Sequence, residues 1–136
     1  GSHDYCSVMG MKHNLNNLSF ARNYVLNVAK AFNLQAIDIV SINLSDTEGF
    51  RLECINAFEI GYDSKFLIHP KQLEIINSIQ YYTPDEVVEA EKVYSQIIKI
   101  QNNEASVLNI DGKVYEKPHI QRILNIIKWR DSYGSK

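Results

Sequence analysis

The segment FLIHPKQLEIIN, Phe66 to Asn77, sets a short apolar run before a His-Pro pair and an amphipathic stretch after it. Proline suits the first turn of a helix, where its missing N–H is no loss. The residue before a proline is pushed out of the helical region, so His69 must be extended or in a turn. The segment reads as strand, exit, helix. His69 then stands at the carboxyl end of a strand, the end at which parallel α/β folds bind ligands.

Working outward, Ala36 to Leu44 (AIDIVSINL) is rich in β-branched residues and suits another buried strand. Ser45 followed by Glu48 has capping-box spacing, and the helix it opens carries Phe50, Cys54, Ala57 and Phe58 before stopping at Gly61. The strand that ends at His69 begins at Lys65. Asp4 to Asn17 shows no sustained period and reads as a loop, whereas Phe20, Tyr24, Val25, Val28 and Phe32 follow the spacing of an apolar helix face. Beyond the opening segment, Thr83-Pro84-Asp85-Glu86 is a second capping box, and its helix presents Val87, Ala90, Tyr94, Ile97 and Ile98. VLNIDGKVYE reads as a hairpin around Asp111-Gly112. Pro118 opens a last helix with Ile120, Ile123, Leu124 and Ile127 on one face.

The chain has 136 residues, 45% hydrophobic and 22% charged, an ordinary globular composition. A net charge of -2 and a pI near 6.1 argue against nucleic acid or an anionic membrane as partner. No apolar run approaches the roughly 20 residues of a membrane span, and no signal-peptide pattern is present. Cys6 and Cys54 are too few for a disulfide scaffold, so reduced thiols in an intracellular compartment are expected, whether cytoplasm or an organelle matrix such as the mitochondrion's. Two parallel strands make too small a sheet to stand alone. The expectation is a fragment of something larger.

Four blocks, AIDIVSINLSDTEGF, GYDSKFLIHPKQLEIIN, TPDEVVEAEKVYSQI and IDGKVYEKPH, in that order and spacing, resemble the C-terminal part of the citrate lyase β-subunit family, which includes the malyl-CoA and citramalyl-CoA lyases. The strand ending in Ile-His-Pro-x-Gln is the most specific of these. The resemblance implies an α/β fold, the C-terminal fragment of a (β/α)8 TIM-type barrel plus a helix–hairpin–helix extension. Residues 1–80 would be the last barrel units and residues 81–136 the extension. It further implies Mg2+-dependent cleavage or formation of a C–C bond in a 3-hydroxyacyl thioester of CoA or an acyl carrier, through an enolate. The family's homo-oligomers bring the extension to a neighbouring subunit.

Residue by residue, the resemblance implies three sites. Gly1-Ser2-His3-Asp4 followed by YCSVMG matches a strand exit whose aspartate ligates magnesium, so Asp4 is the candidate ligand; Gly1-Ser2-His3 also has the form of an expression scar, but Asp4 matches through the residues after it. Ile68, His69 and Pro70 line the mouth of the last barrel strand beside the thioester. Glu116, in Gly112-Lys113-Val114-Tyr115-Glu116-Lys117-Pro118, stands where the family usually has an acid/base aspartate. Three departures accompany this. Glutamate is one methylene longer than aspartate, Asn43 replaces a frequent aspartate, and the family's glutamate ligand and substrate-binding arginine have no counterpart in these residues.

Each candidate also has an ordinary structural reading. His69 can serve the backbone, Asp4 can be a solvated acid, and Glu116 suits a helix N-terminus on dipole grounds alone. Asp46 and Glu48 are most simply helix-start residues, and Trp129 and Tyr81-Tyr82 suit packing or subunit contact. His3 with Cys6 is discounted as a metal pair, because zinc needs three or four ligands. Two functions stay open: a lyase portion inactive without its upstream half, or a degenerate non-catalytic relative serving as an assembly or interaction subunit.

Overall fold

In a computed structural model, which describes residues 1–99 and 107–133, the chain divides into two compact units, Gly1–Ile79 and Gln80–Lys136. The first contains α1 (Ser2–Met9), α2 (Leu15–Ala31), β1 (Ile37–Asp38), α3 (Thr47–Ile60), β2 (Ser64–Lys65) and α4 (Pro70–Ser78). The second contains α5 (Pro84–Lys99), β3 (Val107–Ile110), β4 (Lys113–Glu116) and α6 (Lys117–Tyr133). The architecture is mixed α/β and rich in helix.

In the first unit β1 and β2 pair in parallel, with Asp38 opposite Lys65. The strands are shorter than the Ala36–Leu44 and Lys65–His69 runs the sequence implies. The bonds from the Asp63 N–H to the Ala36 carbonyl (3.0 Å) and from the Phe66 N–H to the Asp38 carbonyl (3.1 Å) bracket the pairing, and His69 lies beyond β2. Asp38 is fully buried and points to the helix-covered side. Its carboxylate receives Arg22 of α2 in a two-pronged pair, Nε to Oδ1 and Nη2 to Oδ2, each at 2.9 Å. Lys65 approaches the same carboxylate at 3.4 Å, donates to the Ile39 carbonyl at 2.8 Å and lies 3.3 Å from Glu53 of α3. Arg22 also donates to Asn56 of α3, and the Tyr62 hydroxyl donates to the Arg22 carbonyl at 2.9 Å. One buried carboxylate thus joins α2, β1, β2 and, through its cations, α3.

This cluster corrects the reading of α2. Leu18, Arg22 and Leu26 are its buried residues, while Phe20, Tyr24, Val25, Val28 and Phe32 face outward. Leu18, Arg22 and Leu26 recur every four residues, and so do Phe20, Tyr24, Val28 and Phe32, so periodicity allows either face. Burial follows Arg22 because its partner lies inside. The segment from Asp4 to Asn17 is corrected too: α1 occupies part of it and ends at Gly10 in the left-handed conformation, and α2 begins at Leu15 on an Asn14 cap. At α3 the capping residue is Asp46, whose Oδ1 accepts from the Gly49 N–H at 2.8 Å, and not Ser45, whose hydroxyl donates to Asn43. Phe50, Cys54 and Ala57 are buried on α3, and Gly61 closes it at φ 107°, a conformation glycine adopts without penalty.

In the second unit the capping box at α5 is complete. Glu86 accepts from the Thr83 N–H at 2.8 Å, and the Thr83 hydroxyl accepts from the Glu86 N–H at 3.3 Å. Asp111 and Gly112 both have positive φ and turn β3 into β4, with Ile110 opposite Lys113. The core gathers Ala90 and Val93 of α5, Leu108 and Tyr115 of the hairpin, and Ile123, Ile126 and Ile127 of α6. Ile98 and Leu124, assigned to apolar faces by spacing, are exposed, and Val93 and Ile126 take the central places.

Two expectations follow. Asp38→Asn leaves Arg22 buried without its counter-charge and Lys65 with Glu53 alone, and should cost about 3–5 kcal/mol in urea unfolding of the first unit, against less than about 0.5 kcal/mol for Asp4→Asn on the surface; a cost below about 1 kcal/mol for Asp38→Asn would contradict the role given to it. In the second unit, Thr83→Ala should cost about 1 kcal/mol. The Thr83 backbone N–H, with Arg122 adding, holds the Glu86 carboxyl below its ordinary value. A depressed carboxyl stabilises the fold above its unfolded pKa and loses that contribution as pH falls through the folded one. Stability should therefore fall with acidification below about pH 4.5, and less steeply in Glu86→Gln.

Candidate functional site

The strand exit is held from two sides. His69 is extended (φ -150°, ψ 142°) and caps α4, its Nδ1 accepting from the Lys71 N–H at 3.1 Å. That tautomer leaves the proton on Nε2, the ring atom free to donate outward. Pro70 takes the first helical turn. One turn into α4, buried Gln72 accepts from the Ile68 N–H through Oε1 and donates through Nε2 to the Ser41 carbonyl, both at 2.8 Å. The Ile68-His69-Pro70 exit is thereby tied to the segment leaving β1. His69 does serve the backbone, and among the described residues its second nitrogen has no hydrogen-bond partner.

Asp4 lies in the first turn of α1 with its side chain 90% exposed, 3.4 Å from the terminal ammonium. Among the described residues no hydrogen bond or ion pair links it to Ile68, His69 or Pro70, and no group of three or more His, Cys, Asp or Glu side chains could hold a metal ion. One exposed carboxylate is not a magnesium site, because Mg2+ needs near-octahedral oxygen coordination.

His3 lies not with Cys6 but flat against His13, ring centroids 3.8 Å apart and planes within 3°. Parallel rings present faces to each other and do not converge on a metal. Burial, then the nearby His3, keeps the His13 imidazole below its ordinary pKa. Cys54 is buried and its thiol is pushed up to about 11 by burial, which makes it a packing residue and no nucleophile. Asn43 accepts from Ser45 within the loop after β1. Asp46 and Glu48 serve the start of α3, Glu48 paired with Arg51. Trp129 meets Tyr82 edge to face at 5.4 Å within the second unit.

Glu116 is the last residue of β4, just before α6, and its side chain is exposed. Its backbone N–H donates to His119 Nδ1 at 3.3 Å. Sequence reading passed over His119 and Gln72. His119 had a signal in its three-residue spacing from Glu116, the spacing of a capping box. Gln72 closes the Ile-His-Pro-x-Gln motif, but its bond to Ser41, 31 residues away, left no local signal.

Residues 1–70 match the family model described as HpcH/HpaI aldolase/citrate lyase. Citrate lyase subunit beta of Leuconostoc mesenteroides subsp. cremoris is 32% identical over 111 residues, which is 82% of this chain and 37% of that protein. The (3S)-malyl-CoA thioesterase of Cereibacter sphaeroides (strain ATCC 17029 / ATH 2.4.9) is 31% identical over 122 residues, 88% of this chain and 43% of that protein. Among solved structures, CitE from Mycobacterium tuberculosis, in complex with magnesium, acetoacetate and coenzyme A, superposes with a TM-score of 0.70 at 20% identity, covering 94% of this chain and 49% of that one. At that identity the likeness is one of fold. The chain spans well under half the length of these curated relatives. The family match takes in α1, both parallel strands and the exit at His69, and on that ground the chain belongs to the HpcH/HpaI aldolase/citrate lyase family.

Proposed function

We propose that this chain is the C-terminal portion of a carbon–carbon lyase acting on a 3-hydroxyacyl thioester of CoA or an acyl carrier. The observation that carries this reading is the family match over residues 1–70, joined to a parallel-strand exit whose His69 leaves one nitrogen free to donate. On this reading residues 1–80 are the last units of a (β/α)8 barrel and residues 81–136 an extension that serves a neighbouring subunit. The bare side of the strand pair supports further strands: Ile37 and Phe66, which alternate with Asp38 and Lys65, are 43% and 55% exposed.

Cleavage breaks the bond between C2 and C3 of the acyl group. The 3-hydroxyl loses its proton as C3 becomes a carbonyl, the bonding pair moves into the thioester as an enolate, and C2 takes up a proton. Glu116 is assigned the proton at C2, as an exposed carboxyl on a hairpin end able to meet a substrate from outside. His69 is assigned to the lining beside the thioester, where an Nε2–H would donate to one of its oxygens. Magnesium, when bound, supplies Lewis-acid polarisation of substrate oxygens. Asp4 would be one of its ligands, and the rest, with a charge-stabilising arginine, would come from outside these residues, so activity needs that further portion. A thioesterase among the relatives makes thioester hydrolysis the competing outcome, distinguished by whether the C2–C3 bond survives.

In the active protein, Glu116→Ala should lower turnover by roughly 10²–10⁴-fold with KM little changed. Glu116→Asp shortens the arm by one methylene and should also lose activity if the site is built for the longer side chain. Unchanged turnover in Glu116→Ala would reduce Glu116 to a helix-start acid.

A further inference from the structure

We propose that His119 is a positioning residue for Glu116, one that holds the Glu116 peptide only while its ring is neutral. The inference rests on the acid/base reading of Glu116 for its catalytic meaning, but the coupling between the two residues stands on geometry alone. In the hairpin, Ile110 and Lys113 flank the two-residue turn, Leu108 pairs with Tyr115 and Val107 with Glu116. Hydrogen-bonded and non-bonded pairs alternate along an antiparallel ladder. Counting from the turn, Val107/Glu116 is a non-bonded pair, so the Glu116 N–H points away from β3 and needs another acceptor.

His119 Nδ1 is that acceptor, at 3.3 Å. Glu116 immediately precedes α6 and His119 is its third residue. This is the second half of a capping box, in which the third helical side chain accepts from the N–H ahead of the helix. At α5 the same place is filled by Glu86, which accepts from Thr83 as a carboxylate. An imidazole there differs in kind. A protonated Nδ1 has no lone pair, and its charge would stand at the positive end of the α6 dipole. The arrangement therefore requires neutral His119 with its proton on Nε2.

The groups around the ring come from every element packed there. Glu89 of α5, Lys113 and Tyr115 of β4 and Arg122 of α6 share a cleft of about 130 Å³ with it. Lys113 is paired with Glu89 and Arg122 with Glu86. The Glu116 carboxylate and Lys117 flank the ring along the chain. Protonation of His119 removes the acceptor that holds the Glu116 peptide, and with it the restraint on where the carboxyl points.

The test is an NMR titration of the uniformly ¹⁵N-labelled full chain. At neutral pH the His119 ring should be the Nε2–H tautomer. On acidification the Glu116 amide should shift with the ring's own titration, and its hydrogen exchange should accelerate by roughly two- to tenfold relative to neighbouring amides, as loss of one ordinary hydrogen bond gives. His119→Gln, which keeps an acceptor that does not titrate, should retain protection and abolish the response. His119→Ala should lack protection at every pH. In the active protein, His119→Gln should retain turnover and flatten its acid limb with KM unchanged. A Glu116 amide indifferent to the ring's titration, or a ring protonated on Nδ1 at neutral pH, overturns the proposal. Unchanged turnover in Glu116→Ala would refute the acid/base reading instead, leaving the amide coupling to be read by itself.

Discussion

In the first unit a single buried carboxylate, that of Asp38, sets the arrangement of everything around it. Two cations reach it, Arg22 from α2 and Lys65 from the adjacent strand, and the in-register pairing of β1 with β2 is what puts Lys65 opposite it. Such clusters add little net stability against a well-packed apolar alternative, yet losing one partner is costly, because the others stay buried and unpaired. The gain is specificity: only one face of α2 and one strand register satisfy both cations. From that register the chain continues to the His69 exit, which Gln72 ties back to the segment after β1.

How much of this is legible in the sequence depends on whether the deciding partner is near or far along the chain. The Thr83/Glu86 box, the Asp111-Gly112 turn and the start of α4 at Pro70 behind an extended His69 are local devices and read correctly, as does parallel pairing of the strand segments, although β2 ends at Lys65 and not at His69. The inner face of α2 does not, because two stripes share the same period and the choice is made by Asp38, 16 residues from Arg22. Ser45 and Asp46 are both good caps, and their order is settled only by Ser45 turning its hydroxyl to Asn43. α1 escapes reading because eight residues with one buried side chain, Cys6, carry little pattern.

The candidate site divides in the same way. Asp4, Ile68, His69, Pro70 and Glu116 are named by motif, and the structure adds what motif cannot: which nitrogen of His69 is engaged, how exposed Asp4 is, and that the Glu116 peptide is held by a neighbouring imidazole. A lone exposed carboxylate and an exposed glutamate on separate units acquire chemistry only when other groups complete them. That incompleteness is consistent with a site assembled from more than these residues.

The most direct test of a shared lyase site is complementation between two defective forms of the active protein. On the proposed reading, Asp4→Ala and Glu116→Ala should each lose most of their turnover alone, the first for want of a metal ligand and the second for want of the acid/base group. Mixed under conditions that exchange subunits, they should recover roughly a quarter of wild-type turnover, the statistical share of sites pairing an intact Asp4 with a neighbour's intact Glu116 in a head-to-tail ring. Mixed oligomers that form, yet show no cleavage of the thioester substrate, would contradict the proposal that Asp4 and Glu116 meet across a subunit boundary.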